Sequence, residues 1–528
     1  LWQLGLGSPL PRAVRNRLAD LLQDDAPEIR AQTARVVGEL GLSRAARQLI
    51  KQLDDPAPRP RYFAAMALGR LKHSAAIPAV AAMLQRNDNQ DFNLRHAGVT
   101  AFARFPEEEV AALIKDSSAP VQLAFLLSLR QKASPSIGAF LESPHPMLRF
   151  EAIRAVHDLP IPDCMPTLAA LIDDRQAEGV DLDAKWSEAG DAYLPILADD
   201  SVPFPIKHRI LNANFRLGEE HNAQRLSLAA SLAKHGHAVR LEALRALEKW
   251  QNPSPFDRVP WHHRPVRRDR EFKLAPVIGT LVNGALLRDL NLAKDANPKE
   301  SLQRAQVAGR LLGRHDMFEE DMAETWLSSP SIHASIRLAM VEGLQSGGWT
   351  KRLGYNKIAE TFLKDVDPAA QIQGAILMAE FDADRARKSL TKHLDGKPLK
   401  PRQLAIQSLA KMDLPVAMDL LADLFEKRAK TPERPEALDI YLAGKSHPNP
   451  ETREAAIAFA KAMESVKPLG EFQMTLAGGD PKRGKRIFET HAIQCVRCHR
   501  IKGFGGDAGP ELTKIGRELD RAGILTAL

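Results

Sequence analysis

The sequence predicts an all-α protein, a solenoid of stacked helical hairpins with a small helical module at its C-terminal end. Three observations carry that reading. A unit of one turn and one Ala/Leu-rich helix recurs at a period of roughly 30 residues. The apolar residues within each unit fall at helical spacing. Near residue 480 this pattern gives way to another, built around two closely spaced cysteines in a chain of 528 residues that has three cysteines in all.

The repeat begins at Asp24 in DDAPEIRAQTARVVGEL, at Asp54 in DDPAPRPRYFAAMALGRL, and at Asn87, Ser117 and Ser143. Later copies begin at His235, Ser328, Asp365, Gly396 and Ser446. In the first five copies an Arg or Gln follows the turn, at Arg30, Arg61, Arg95, Gln122 and Arg149. Pro presets φ at the first helical position and Asp or Ser caps free N–H groups, so each turn starts a helix. In the first copy Ile29, Thr33, Val36, Val37 and Leu40 are expected to form the buried face. Small Ala residues let neighbouring helices close up. The first helix of each pair is weaker, as in PRAVRNRLADLLQ and SAAIPAVAAMLQ. One hairpin cannot bury its face alone, so the units are expected to stack into a right-handed superhelix with a continuous core. The pattern resembles HEAT repeats and covers residues 1–466 with interruptions.

The array has two irregular stretches. From 172 to 230 the spacing fails although helical pattern persists. In 250–272, WQNPSPFDRVPWHHRPVRRDREF, the prolines at 253, 255, 260 and 265 rule out a continuous helix. This Pro-rich insertion has two readings. It is a binding loop that uses Trp261, His262, His263, Arg264, Arg267 and Arg268 to hold an anionic or aromatic partner, or an ordered loop whose Trp packs on the solenoid while its charges face water. Cys164, ahead of a repeat helix, reads as a small buried apolar residue rather than a reactive thiol.

Composition narrows the function classes. Hydrophobic residues make up 44% and charged residues 26%, the balance of a globular protein. No apolar run approaches the roughly 18 residues of a membrane span. The 73 Lys and Arg against 66 Asp and Glu leave +7, thinly spread, so no nucleic-acid partner is read from charge. The chain starts without Met and stops within a helical pattern. It is therefore read as a fragment, with any export signal upstream.

Residues 467–479 read as a linker, and GGDP at 478–481 as a helix start with Asp480 as N-cap and Pro481 first in the helix. The helix PKRGKRIFETH leads to CVRCH, residues 495–499. A thioredoxin-like redox pair would follow a strand, and no strand-forming run precedes Cys495. A zinc site needs four ligands, yet only His491 and His499 lie nearby, with no second Cys pair downstream. Covalent haem attachment fits every position. Two intervening residues put both thiols on one side of a helical turn, and the next residue, His499, can turn its ring to the iron. His491 reads as a solvent-facing helix-end residue.

The flanks sharpen this. GDPKRGKRIF and GPELTKIGR resemble the first helix and the Gly-Pro-x-Leu segment of class I cytochrome c. That resemblance implies haem c on Cys495 and Cys498, with His499 as the iron ligand. It implies that the Pro510 carbonyl accepts from His499 Nδ1 and that Leu512 walls the pocket. It also implies that Gly484 and Phe488 pack on a later C-terminal helix. Together the two resemblances imply a HEAT-like α-solenoid followed by a small, truncated cytochrome c domain at 480–528, incomplete at its C-terminus. Large multidomain bacterial haem-binding proteins join HEAT repeats and cytochrome c in this order, often after a propeller like that of sugar dehydrogenases. No catalytic residue is assigned here, and dehydrogenase activity enters only by that association.

The expected function is electron transfer between redox donor and acceptor proteins or domains, in a periplasmic or other extracytoplasmic compartment. The rival expectation is a scaffolding solenoid with a structural metal-binding module at its end. The solenoid's concave face is expected to bind a protein partner. The 29 residues after His499 contain neither Met nor His, and Met474 lies upstream of the first module helix. Lys502 and Lys514 are the downstream nitrogen candidates, and lysine would have to lose its proton to bind. An open or water-filled sixth position is therefore expected in this chain.

Overall fold

The computed structural model of the chain describes residues 11–172, 196–269, 272–290, 297–318, 320–348, 355–429, 435–463, 469–476, 481–491, 493 and 495–527. Two compact units are present, Leu1–Arg270 and Glu271–Leu528, and the division falls within the Pro-rich segment. Asp480 and much of the linker lie outside the described residues.

The first unit opens with α1 (Arg12–Leu21), α2 (Pro27–Glu39), α3 (Ala46–Gln52), α4 (Pro58–Arg70), α5 (Ile77–Asn87) and α6 (Phe92–Arg104). It continues through α7 (Glu107–Val110), α8 (Ala119–Lys132), α9 (Pro146–Asp158) and α10 (Met165–Ala170) to α11 (Phe204–Leu217), α12 (Glu220–Ser231) and α13 (His237–Glu248). Helices α2, α4, α6, α8, α9, α11 and α13 pack side by side in one row, and α1, α3, α5, α10 and α12 back them.

The second unit repeats the arrangement. It holds α14 (Ala275–Leu290), α15 (Pro298–Arg314), α16 (Glu320–Ser328), α17 (Ala334–Gly347), α18 (Tyr355–Leu363) and α19 (Pro368–Met378). Then come α20 (Ala383–Leu394), α21 (Leu399–Leu409), α22 (Pro415–Ala429), α23 (Ala437–Lys445) and α24 (Pro450–Met463). Helices α15, α17, α19, α21 and α23 form its row. A 3₁₀ turn, Gly470–Thr475, packs on α23 and α24 and buries Met474.

Row helices meet almost at backbone distance. A Cβ on Gly38 would lie 2.7 Å from the Ala67 Cα, and one on Gly69 would lie 2.7 Å from the Ala101 Cα. This close approach changes the buried face expected for α2. It buries Ala31, Thr33, Ala34, Val37 and Gly38, whereas Ile29 is 42% exposed and Val36 and Leu40 are only half-buried. The stripe turned to α4 is the one of small residues, and Ile29 is rotated out of it.

In several repeats the Arg or Gln after the turn ties the turn together. Arg30 donates to the carbonyls of Asp24 (2.8 Å) and Asp25 (2.9 Å), and grips the Asp55 carboxylate of the next repeat with two bonds of 2.7 and 2.9 Å. Helix ends leave carbonyls without intrahelical partners, and this side chain supplies donors for them. Arg402, Gln371 and Arg453 reach carbonyls five or six residues back in the same way. Burial alone would raise the Asp55 carboxyl, but Arg30 and the Ala57 N–H hold it below its ordinary value.

Gly69→Val is therefore expected to destabilise the first unit by about 1–3 kcal/mol through overpacking. Gly284→Ala, at an exposed position of α14 where an added Cβ meets nothing, should not lower stability. Urea unfolding followed by circular dichroism separates the two, and equal midpoints for both variants would refute the close-contact account.

Candidate functional site

The Pro-rich segment is a strap fastened to the first unit. Its hairpin is closed by Asp257 N–H donating to the His262 carbonyl and Arg264 N–H donating to the Pro255 carbonyl, both at 2.8 Å. Trp250 is fully buried, and the Arg268 guanidinium lies 4.6 Å from its ring and 4.9 Å from that of Phe215. Arg268 donates to the carbonyls of Trp250 and Phe215, and Arg264 to those of His157 and Asp158. Neither arginine faces water, contrary to the reading of an ordered loop with solvated charges. Of the residues proposed to hold a partner, Trp261, His262, His263 and Arg267 remain exposed.

Beneath the strap a polar network fixes one tautomer. The buried Asn212 amide donates one hydrogen to His157 Nε2 (2.8 Å) and the other to the buried Asp257 carboxylate (2.8 Å). Nε2 is thus an acceptor, and Nδ1 carries the proton toward Asp158 at 2.9 Å. Burial pushes His157 below the ordinary imidazole value, against the pull of Asp158. Burial opposes ionisation of Asp158 too, yet bonds from His157 and Arg209 bring its carboxyl down to about 2. Cys164 is buried, with its thiol on the Pro135 carbonyl, and burial raises its pKa.

The CVRCH motif lies in the second unit. Helix α25 (Pro481–Thr490) begins at Pro481, and α26 (Cys495–Cys498) is a single turn that sets the two cysteines on one side. The His499 N–H closes the turn on the Cys495 carbonyl at 2.9 Å. A two-residue hairpin follows, β1 (Arg500–Ile501) with β2 (Phe504–Gly505), turned by Lys502 and Gly503 at φ 51° and 78°. It is a small departure from the expected all-α fold. Two further short helices, α27 (Ile515–Glu518) and α28 (Arg521–Thr526), complete the module.

Residues 505–512 wrap around the cysteine turn. Gly506 N–H donates to the Val496 carbonyl (2.9 Å), Gly509 N–H to Cys498 (2.7 Å), and Leu512 N–H to Arg500 (2.8 Å). A Cβ on Gly509 would lie 2.7 Å from His499 Cε1, so the loop presses on the imidazole where no side chain fits. The ring sits with Nδ1 2.9 Å from the Pro510 carbonyl oxygen. An Nδ1 proton donated there leaves Nε2 unprotonated, and Nε2 meets no hydrogen-bond partner among the described residues. Cys495 is half-buried, Cys498 exposed, and both are free thiols. Leu512 is half-buried, close in chain to Pro510. His491 is exposed at the end of α25.

Gly484 faces open space, and Phe488 is half-buried. Among the described residues from Pro481 onward none is fully buried, and Ile487, Ile493, Phe504 and Leu519 are between 41% and 77% exposed. A module with no core of its own has apolar surface left for another group to cover. Residues 481–528 also carry ten Lys and Arg against five Asp and Glu. Among the described residues no three His, Cys, Asp or Glu side chains converge as metal ligands.

Residues 46–129, spanning α3 to α8, match the HEAT-repeat family. No curated protein matches the chain in sequence. Among solved structures, the complex of CpcE and CpcF of phycocyanin lyase from Nostoc sp. PCC7120 is similar at 21% identity, over 46% of this chain and 91% of that one, with a TM-score of 0.22. An engineered protein is similar at 15% identity, over 85% and 99%, with a TM-score of 0.20. The Kap95:Nup1 complex is similar at 11% identity, over 93% and 71%, with a TM-score of 0.34. Residues 46–129 thus carry HEAT repeats, within the rows of paired helices described above.

The strap network has a pH signature. His157 is neutral when folded, whereas an unfolded imidazole gains a proton as pH falls below about 6.5. The unfolded chain then binds more protons, so stability falls with falling pH. Relative to the intrinsic rate, which itself slows in acid, hydrogen exchange of α9 and α11 should show an excess at pH 5.5 over pH 7, that is, a lower protection factor. In His157→Gln this excess should shrink, and an unchanged excess would show that His157 does not carry it.

Proposed function

We propose that the chain is an electron-transfer protein in which residues 480–528 hold haem c covalently and a HEAT-like solenoid, residues 1–466, carries them across a linker at 467–479. The observation that carries this reading is the constellation at residues 495–510. Two thiols share one helical turn, and the adjoining imidazole has Nδ1 on a backbone carbonyl and Nε2 free. Cys495 and Cys498 would each form a thioether, and His499 Nε2 would bind the iron. The Pro510 carbonyl would fix the ring and raise its basicity, a recurrent role for the partner of a metal-bound histidine. Leu512 and the exposed apolar side chains of the module would cover the macrocycle. The excess of cations suits the two carboxylates that haem carries. The bound group would supply a one-electron iron couple.

Redox donor and acceptor proteins or domains are the partners this implies. An extracytoplasmic site follows from the chemistry, because haem c attachment needs reduced thiols presented to machinery outside the cytoplasm. HEAT solenoids bind protein partners, and this one is expected to do so as well. No helix among the described residues is long and apolar enough to cross a membrane. The rival reading, a scaffold ending in a structural zinc module, has less support, since Cys495 and Cys498 lack a converging third ligand among the described residues.

Expression with c-type maturation machinery should give protein with a covalent haem by alkaline pyridine haemochrome spectroscopy. Cys495→Ser and Cys498→Ser should each lower attachment. Absence of covalent haem would overturn the proposal, and zinc without iron on metal analysis would favour the rival. Met474 is buried against α23 and α24, and residues 500–528 hold neither Met nor His. In a protein made of residues 1–528 the ferrous form is therefore expected to bind carbon monoxide. A low-spin spectrum unchanged by carbon monoxide would reveal another ligand.

A further inference from the structure

Arg104 in the first unit is a cation without an anion. It is the last residue of α6, and Arg70 is the last residue of the neighbouring α4. Arg70 has Glu39 at 3.4 Å. Arg104 has no carboxylate among the described residues, and Nη1 is shut off from water without an acceptor. Burial, and then the like charge of Arg70, lower its guanidinium pKa, with no acid acting in the other direction.

Most other enclosed arginines differ, and Arg61 and Arg149, whose Nε likewise lacks an acceptor, each lie in the field of an acid, Asp55 and Asp199. Arg30, Arg209, Arg258 and Arg337 each meet a carboxylate. Arg268 also lacks one, but two carbonyls and two aromatic faces take its place. An enclosed guanidinium N–H without an acceptor is costly, and like-charge contact adds to the cost. The C-terminal end of α6 offsets part of that cost through its dipole, yet it offers Nη1 no acceptor among the described residues.

We propose that the ends of α4 and α6 form a docking site for an acidic protein segment, one of whose carboxylates is received by Arg104 beside Arg70. A protein segment fits better than a polyanion for two reasons. Three cations run along the row, Arg70, Arg104 and Arg130, and an acid closes it on each side, Glu39 beside Arg70 and Glu151 beside Arg130. Half-buried Met66 and Ala103 near the helix ends offer apolar contact as well. A regular row of phosphates would meet Glu39 and Glu151; a single carboxylate between apolar side chains would not. The site is independent of the haem reading.

The test is fluorescence anisotropy with a labelled peptide of alternating Leu and Glu, titrated with the full chain. Arg104→Gln should weaken binding about tenfold or more, as expected for loss of one enclosed charge pair. Arg104→Lys should retain part of the affinity, and Arg267→Gln, at an exposed position on the strap, should leave it unchanged. At low salt Arg104→Gln should unfold at the same temperature as the parent or higher, because a like-charge contact is removed. No peptide binding, equal affinity in Arg104→Gln, or equal binding of a Leu and Lys peptide would overturn the proposal. So would tighter binding of single-stranded DNA, or a lower unfolding temperature for Arg104→Gln, which would make the arginine structural.

Discussion

Side-by-side contact between row helices is the constraint on which the rest of the structure depends. A helix such as α2 or α4 is apolar on more than one side and gains its stability only when a neighbour covers it. Gly38 against Ala67 and Gly69 against Ala101 bring the helices close enough to do so. At that spacing the turns are crowded with helix-end carbonyls, and Arg30 and its counterparts answer them. One side chain thus satisfies its own turn and, through Asp55, clamps the next. The strap over α9 and α11 obeys the same logic, with Arg264 and Arg268 turned inward to carbonyls.

The C-terminal module works by the opposite means. It has almost no layered packing, and its order comes from backbone hydrogen bonds that wrap residues 505–512 around the cysteine turn. Such wrapping fixes the direction of the His499 ring but leaves apolar side chains outside. A covalently attached, flat, apolar group would supply what the chain lacks. In the proposed chemistry, the feature that makes the module poor as a free-standing fold would let it hold a macrocycle.

Much of this was legible in the sequence, and the failures have physical causes. Periodicity reveals the repeats and the recurring Arg or Gln, but where that side chain bonds, as at Arg30, Gln371, Arg402 and Arg453, its acceptors are carbonyls five or six residues back, which no side-chain pattern displays. The buried face of α2 departs from the most apolar stripe because close approach selects Ala and Gly by size and leaves Ile29 outside. Neither reading of the strap, partner-binding loop or solvated charges, puts Arg264 and Arg268 inward, since sequence records a charge and not the carbonyl or ring that it meets. The hairpin at 500–505 was too short to show a period, and Gly506 and Gly509 would have been found only by asking what passes close to the motif. Cys164 and His491 lie where their neighbours in sequence suggested, one buried and one exposed.

The haem proposal meets its most direct test in the motif itself, because Arg497 separates the two cysteines. Trypsin cleaving after Arg486, Arg497 and Arg500 places Cys495 and Cys498 in different peptides. If both thiols hold one haem, mass spectrometry of the digest will find residues 487–497 and 498–500 joined through a single haem, with neither peptide free. Recovery of the two peptides separately with unmodified thiols, from protein made with the maturation machinery, would contradict the account.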